Sequence, residues 1–136
     1  ITTPAYIYDL VTKNIEPITL NFNLQVNQAI WSKTENCIYF NTTDISYRHL
    51  YRYNLKTKKF ELIETGVQAI NENDVALNSS KAVYTGSSAS VHAKVYVLDL
   101  AKKKYHVLAD PSKKDFEDVV LNKVERWTFE NTQGTE

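Results

Sequence analysis

The sequence predicts an all-β fold: a fragment of a β-propeller holding about three blade-equivalents of four-stranded antiparallel sheet. Three observations predict it. A five-residue string recurs at a fixed period, Tyr6-Ile7-Tyr8-Asp9-Leu10 returning as Tyr51-Arg52-Tyr53-Asn54-Leu55 and then as Tyr96-Val97-Leu98-Asp99-Leu100, each 45 residues after the last. The positions around that string stay in phase across the copies. Each copy also carries short runs rich in Tyr, Ile and Val, bounded by Asn, Asp, Ser, Thr and Gly, which are strand and turn signals. A constant period of this size marks an array of supersecondary units, each too small to bury its own apolar face.

The repeat extends beyond the string. Ile15, Phe60 and Tyr105 are equivalent apolar positions, as are Ile18, Ile63 and Leu108. Polar connections separate string and tail: Thr12-Lys13-Asn14, Thr57-Lys58-Lys59 and Lys102-Lys103-Lys104. Upstream, Trp31–Phe40 aligns without gaps on Ala76–Thr85, so that Ile38-Tyr39 coincides with Val83-Tyr84 and Ile30 with Val75. On this reading the 45-residue register never slips.

The elements follow in order. Strands are expected at Ala5–Leu10, Cys37–Phe40, Leu50–Leu55, Ala82–Tyr84 and Lys94–Leu100. Their alternation is weak because a strand buried between two sheets needs apolar residues on both faces. Asp9, Asn54 and Asp99 each precede a polar stretch. A short side-chain oxygen there accepts hydrogen bonds from backbone N–H groups just downstream and starts a tight turn. Tyr51–Leu55 and Lys59–Glu64 are therefore expected to pair antiparallel, as are their equivalents. Thr34-Glu35-Asn36 and Ser79-Ser80-Lys81 read as a second set of turns. One stretch is ambiguous. Phe116, Val119, Val120, Val124 and Trp127 follow helical spacing, whereas the repeat register places a strand at Val119–Leu121. The strand is favoured for Val119–Leu121, and the flank Lys113–Asp118 reads as a helical turn.

The organisation that results is offset. Residues 1–121 form a partial propeller: a half blade over 1–20, blades at about 22–64 and 67–109, and the start of a further blade over 112–121. Residues 122–136 form an exit segment. Closed propellers have about four to eight blades, so the chain reads as a piece of a longer protein. Its two half blades are complementary, and exchange of strands between two copies would make a homodimer. A solenoid of stacked β units is the architectural alternative.

Composition narrows the function. The 136 residues carry 16 basic and 16 acidic side chains, so net charge draws the chain neither to nucleic acid nor to an anionic membrane. No apolar run approaches the ~20 residues that span a bilayer. The single Cys37 cannot form an internal disulfide. His49, His92 and His106 occupy non-equivalent repeat positions without metal-ligand spacing and read as ordinary strand or surface residues. Asp115, Glu117 and Asp118 read as a solvated acidic face. Lys102–Lys104 with Lys113 and Lys114 form a basic patch with too few interleaved aromatics for a nucleic-acid groove. The sequons at Asn41 and Asn78 are chance matches in an Asn- and Ser/Thr-rich chain. Gly86-Ser87-Ser88-Ala89-Ser90 lacks the second Gly of a nucleophile elbow and reads as a surface loop. No catalytic, cofactor-binding or metal-binding residue is assigned, and no cofactor is expected.

The unit running from Trp31-Ser32 through Ile38-Tyr39-Phe40 to Leu50-Tyr51-Arg52-Tyr53-Asn54-Leu55 resembles blades of the prolyl oligopeptidase family of serine peptidases, including its dipeptidyl-peptidase-like and acylaminoacyl-peptidase-like members. The turn departs from that pattern: Lys33-Thr34 stand where the family has Pro-Asp, and no Gly follows. The end of the chain, Val124-Glu125-Arg126-Trp127-Thr128-Phe129 through Gly134-Thr135-Glu136, is similar to the stretch that leaves the propeller for the α/β-hydrolase domain, with Gln133 in place of the usual Asp. The resemblance implies a non-catalytic propeller segment that gates peptide access to a hydrolase domain absent from this chain. The segment itself is then not an enzyme; the parent would be a serine peptidase acting on peptides. Two other readings compete: a stand-alone binding or scaffold propeller holding a partner with loops such as Thr42–Tyr47 and Ser87–Ala93, and a lactonase-type propeller enzyme. The latter needs metal-binding carboxylates in register, which the repeats do not present.

Overall fold

A computed structural model describes residues 4–71, 75–78, 80–125, 127–129 and 132. The fold is all-β, with no helix among the described residues. Strands β1 (Tyr6–Tyr8) and β2 (Ile15–Pro17) form a two-stranded antiparallel sheet. Strands β3 (Gln25–Trp31), β4 (Cys37–Asp44), β5 (Tyr47–Asn54) and β6 (Lys59–Ile63) then form an antiparallel meander, each pairing with the next. A second meander repeats the pattern with β9 (Lys81–Ser88), β10 (Val91–Asp99) and β11 (Lys104–Ala109). Its first strand is broken into β7 (Ala69–Ile70) and β8 (Ala76–Asn78), both antiparallel to β9. One parallel bridge, Arg48 to Ala69, links β5 to β7 and joins the two meanders into a nine-stranded sheet.

The hairpins form where the sequence places them. The Asp9 Oδ1 accepts hydrogen bonds from the N–H groups of Val11 and Thr12 at 2.8 and 2.7 Å. The Asn54 Oδ1 does the same for Lys56 and Thr57, both at 2.9 Å, and the Asp99 Oδ1 accepts from Lys102 at 2.9 Å. Each turn then closes on a lysine in the left-handed region: Lys13 (φ 63°), Lys58 (57°) and Lys103 (52°). The three hairpins share one register, with Tyr8 opposite Ile15, Tyr53 opposite Phe60 and Leu98 opposite Tyr105. The upstream hairpins also match each other, Trp31 opposite Ile38 and Ala76 opposite Val83.

The register between the two hairpins of a unit does slip, and this corrects the gapless reading. Ile38 lies opposite Tyr53, but its counterpart Val83 lies opposite Val97, one residue before Leu98. The cause is the intervening turn. In the first meander it joins Asp44 to Tyr47; in the second it joins Ser88 to Val91, one residue early by the repeat. A bulge between Val91 and Lys94 recovers only part of the shift. A one-residue slip sends side chains to the opposite face. Ala82 and Tyr84 thus point into the contact with the preceding meander, whereas their counterparts Cys37 and Tyr39 point toward the following one.

Two cores lie between successive units. Ile18, Ile38, Phe40 and Tyr53 are buried between the first hairpin and the first meander, with Ile7, Tyr51 and Phe60 packed on them. Phe22 stacks on Phe60 at 4.2 Å and meets Tyr51 edge-on at 5.0 Å. The larger core lies between the meanders and includes Tyr39, Leu50, Ile63, Ile70, Tyr84, Tyr96 and Leu98. Strand β4 is buried on both faces from Cys37 to Thr42, as the apolar run Cys37–Phe40 requires.

Residues 119–121 form no strand, contrary to the register-based expectation. The backbone after Asp110 coils into successive turns instead: Asp115 and Phe116 donate to the Ser112 carbonyl, and Val119 donates to the Phe116 carbonyl at 3.2 Å. A strand needs a neighbouring edge to pair with, and here the Val119 N–H is already spent on a turn. The helical turn expected at Lys113–Asp118 is this turn series. Arg126, Glu130, Asn131 and Gln133–Glu136 of the exit stretch, and Ser79 of the second upstream turn, lie outside the described residues.

Candidate functional site

The two loops singled out as partner-holding segments come together at one end of the meanders. The β4–β5 turn and the β9–β10 turn flank a cleft of about 650 Å³, lined among others by Tyr47, Gln68, Ser87, Ser88, Glu125 and Trp127. Gln68 builds it. Its carbonyl accepts the Arg48 N–H at 3.0 Å, its own N–H donates to the Ser87 carbonyl at 3.1 Å, and its side-chain Oε1 accepts the Ala89 N–H at 2.7 Å. One residue thus ties both loops to a fixed spacing.

The first loop is strained. Ile45, at the tip of the β4–β5 turn, has φ 49° and is 84% exposed. A β-branched residue in the left-handed region is uncommon and disfavoured, and such outliers concentrate at binding sites. Beside the cleft, Tyr47 stacks on His49 with ring centroids 5.8 Å apart.

The serine string is not the surface loop expected. Gly86, Ser87 and Ser88 belong to β9, and Ala89-Ser90 forms the turn. Gly86 serves packing: a Cβ there would stand 2.7 Å from the Val67 Cγ2 and 3.2 Å from the Ala69 carbonyl oxygen, so glycine lets the β7 segment lie against β9. Ser90 Oγ donates to the Asn122 carbonyl at 2.8 Å and fastens the tail instead.

A second cleft of about 430 Å³ adjoins the first, lined by Ser87, Val91, His92, Phe116 and Leu121. His92 Nε2 lies 2.7 Å from Asp110 Oδ1, and Lys94 Nζ lies 3.0 Å from Asp110 Oδ2. The His92 and Lys94 side chains hold the Asp110 carboxyl below the usual aspartate range. The His92 ring stacks on Phe116 at 4.4 Å and 7°. Sequence reasoning missed this cluster because Asp110 and His92 meet only through the pairing of β10 with β11 and the bulge in β10.

A third group sits between the meanders. Arg52 contacts Glu35 Oε2 at 2.9 Å and Glu61 Oε2 at 3.5 Å, and Lys103 pairs with Glu61. Tyr39 OH and Cys37 Sγ both donate to Glu35 Oε2 at 3.5 Å. Burial pushes the Cys37 thiol above its ordinary range and does the same to the Tyr39 hydroxyl. The two cations and the two carboxylates balance in charge around a small gap, with Glu35 and Glu61 partly open to solvent.

His106 is exposed on β11, Asp115, Glu117 and Asp118 are exposed in the turn series, and Asn41 of the first sequon is fully buried. Among the described residues no group of His, Cys, Asp and Glu is arranged to hold a metal ion. Of the exit stretch, Val124, Glu125 and Trp127 line the larger cleft. No family model matches the chain, and no match is found among the curated proteins.

Proposed function

We propose that the chain is a non-catalytic β-propeller segment of a serine peptidase, gating the access of peptides to a hydrolase domain carried elsewhere in the parent protein. The observation that carries the propeller part is the recurrence of the unit-to-unit contact. Lys58 Nζ reaches Glu16 Oε1 at 2.6 Å, and Lys103 pairs with Glu61 in the same way one repeat later. The outer hairpins of successive units thus meet through one recurring contact, as those of blades around a ring would. The peptidase part rests on the resemblance of the stretch from Val124 to Glu136 to a propeller exit. A stiff ring of such units around a channel excludes folded proteins and admits short peptides.

The test is the coding sequence beyond Glu136 together with fluorophosphonate labelling of the full-length protein. A Gly-x-Ser-x-Gly elbow within roughly 100–150 residues and a labelled serine in it are expected. A further 45-residue unit with no labelling would overturn the reading.

The cleft favours a second reading, a binding module that holds a partner with the β4–β5 and β9–β10 loops. Ile45, strained and exposed in the β4–β5 turn that flanks it, is the observation behind it. Strand exchange between two copies is a further proposal, since among the described residues β1 and β2 pair only with each other. Light scattering on the chain at high concentration decides it: a dimer is expected, and a strict monomer counts against exchange.

A further inference from the structure

The repeated step between units leaves one matching surface unmatched. Register assigns faces to the outer hairpins. Ile7 pairs with Glu16, Arg52 with Glu61 and Val97 with His106, so these residues share the face turned toward the following unit. Tyr8 with Ile15, Tyr53 with Phe60 and Leu98 with Tyr105 share the face turned toward the preceding unit. In the two later units that face is largely covered: Tyr53 is 3% exposed and Leu98 is fully buried, while Tyr105 at its edge keeps 44% exposure. In the first hairpin it is open, with Tyr6 54%, Tyr8 50% and Ile15 66% exposed. The covered faces also receive an ion pair, Lys58 to Glu16 and Lys103 to Glu61. Lys13, the third lysine of the series, has the same left-handed backbone and pairs with no carboxylate among the described residues.

We infer that the face bearing Tyr6, Tyr8, Lys13 and Ile15 docks a further β unit of the same kind, one that presents a carboxylate at the position held by Glu16 and Glu61. Charge complementarity and continuity with the two existing contacts specify that occupant. The apolar patch supplies the area and Lys13 the electrostatic selection. A second copy of this chain is a poor occupant, because its last unit places His106 where the carboxylate belongs. The inference rests on the repeat geometry alone and stands or falls separately from the peptidase reading.

A substitution turns the chain into its own probe. His106→Glu supplies the carboxylate, and head-to-tail association measured by sedimentation velocity is expected to tighten roughly two- to fivefold over the unaltered chain, the size of one exposed ion pair. The gain is expected to shrink in high salt, to vanish when Lys13→Glu or Lys13→Gln is added, and to return in the charge-swapped Lys13→Glu, His106→Lys chain. Circular dichroism checks that each variant keeps its sheet. The inference is overturned if His106→Glu associates no more tightly than the unaltered chain, or if its gain survives the change at Lys13.

Discussion

Tyr105 lies across Gly66 so closely that a Cβ on Gly66 would stand 2.1 Å from the Tyr105 Cε2. Gly66 also has φ 72°, a conformation that costs an L-residue about 1–2 kcal/mol. Gly66→Ala is therefore expected to destabilise the fold by about 1–2 kcal/mol from the backbone, plus whatever the displacement of the Tyr105 ring adds. Adding Tyr105→Ala should recover the steric part and leave the backbone part. Urea denaturation of the two variants checks this; equal stability of Gly66→Ala and the unaltered chain would show that the contact is not maintained in solution.

Tyr84 OH donates to the Thr65 carbonyl at 2.7 Å inside the core between the meanders, and burial pushes its hydroxyl far above the ordinary tyrosine range. Tyr84→Phe removes the donor and strands a buried carbonyl. The expected cost is about 1–3 kcal/mol, read as a lower denaturation midpoint with an unchanged slope.

The turn-starting residues should show the repeat energetically. Asn54→Ala loses two hydrogen bonds to backbone N–H groups, Asp9→Ala likewise. Each substitution is expected to cost about 0.5–2 kcal/mol, since the freed N–H groups are exposed and water takes over. A cost above this range at either position would mean that the turn also supports packing.

Asp110 sets a pH dependence. Its carboxyl is lowered in the fold by His92 first and Lys94 next. A group with a depressed folded pKa stabilises above its unfolded pKa, and that contribution is lost as pH falls through the folded value. The attachment of the 111–118 turns is thus expected to hold at neutral pH and weaken below about pH 4, the unfolded aspartate value. Amide exchange of residues 112–119 followed from neutral to acid pH reads it, and Asp110→Asn should abolish the acid-induced change. Protection that is flat across the range in the unaltered chain would refute it.

Cys37 is fully buried and its thiol is raised by that burial. It is expected to resist alkylation by iodoacetamide in the folded chain and to react stoichiometrically in denaturant. Rapid labelling of the native chain would show that the two meanders separate readily.

The hairpins were legible from residues alone because they are local. An Asp or Asn, a polar tip and a short apolar strand on each side contain all that the turn needs, and the three copies at Asp9, Asn54 and Asp99 fold alike. The candidate cleft was legible only as two separate loops, since nothing near Tyr47 or Ser87 announces Gln68 as the residue that spaces them. The His92–Asp110 pair and the Arg52–Glu35–Glu61 group left no mark in the repeat, because their members are brought together by strand pairing and by contact between units.

By itself the sequence determined the all-β class, the 45-residue period and the register within each outer hairpin, all of which depend on neighbours a few residues apart. Tertiary structure decided which face of each strand is buried. That choice hangs on a turn displaced by one residue and a bulge beside Val91, and the apolar pattern alone cannot resolve it where a strand such as β4 is buried on both sides. The fate of residues 119–121 was decided in the same way: no sheet edge pairs with them, and the Val119 N–H closes the preceding turn series.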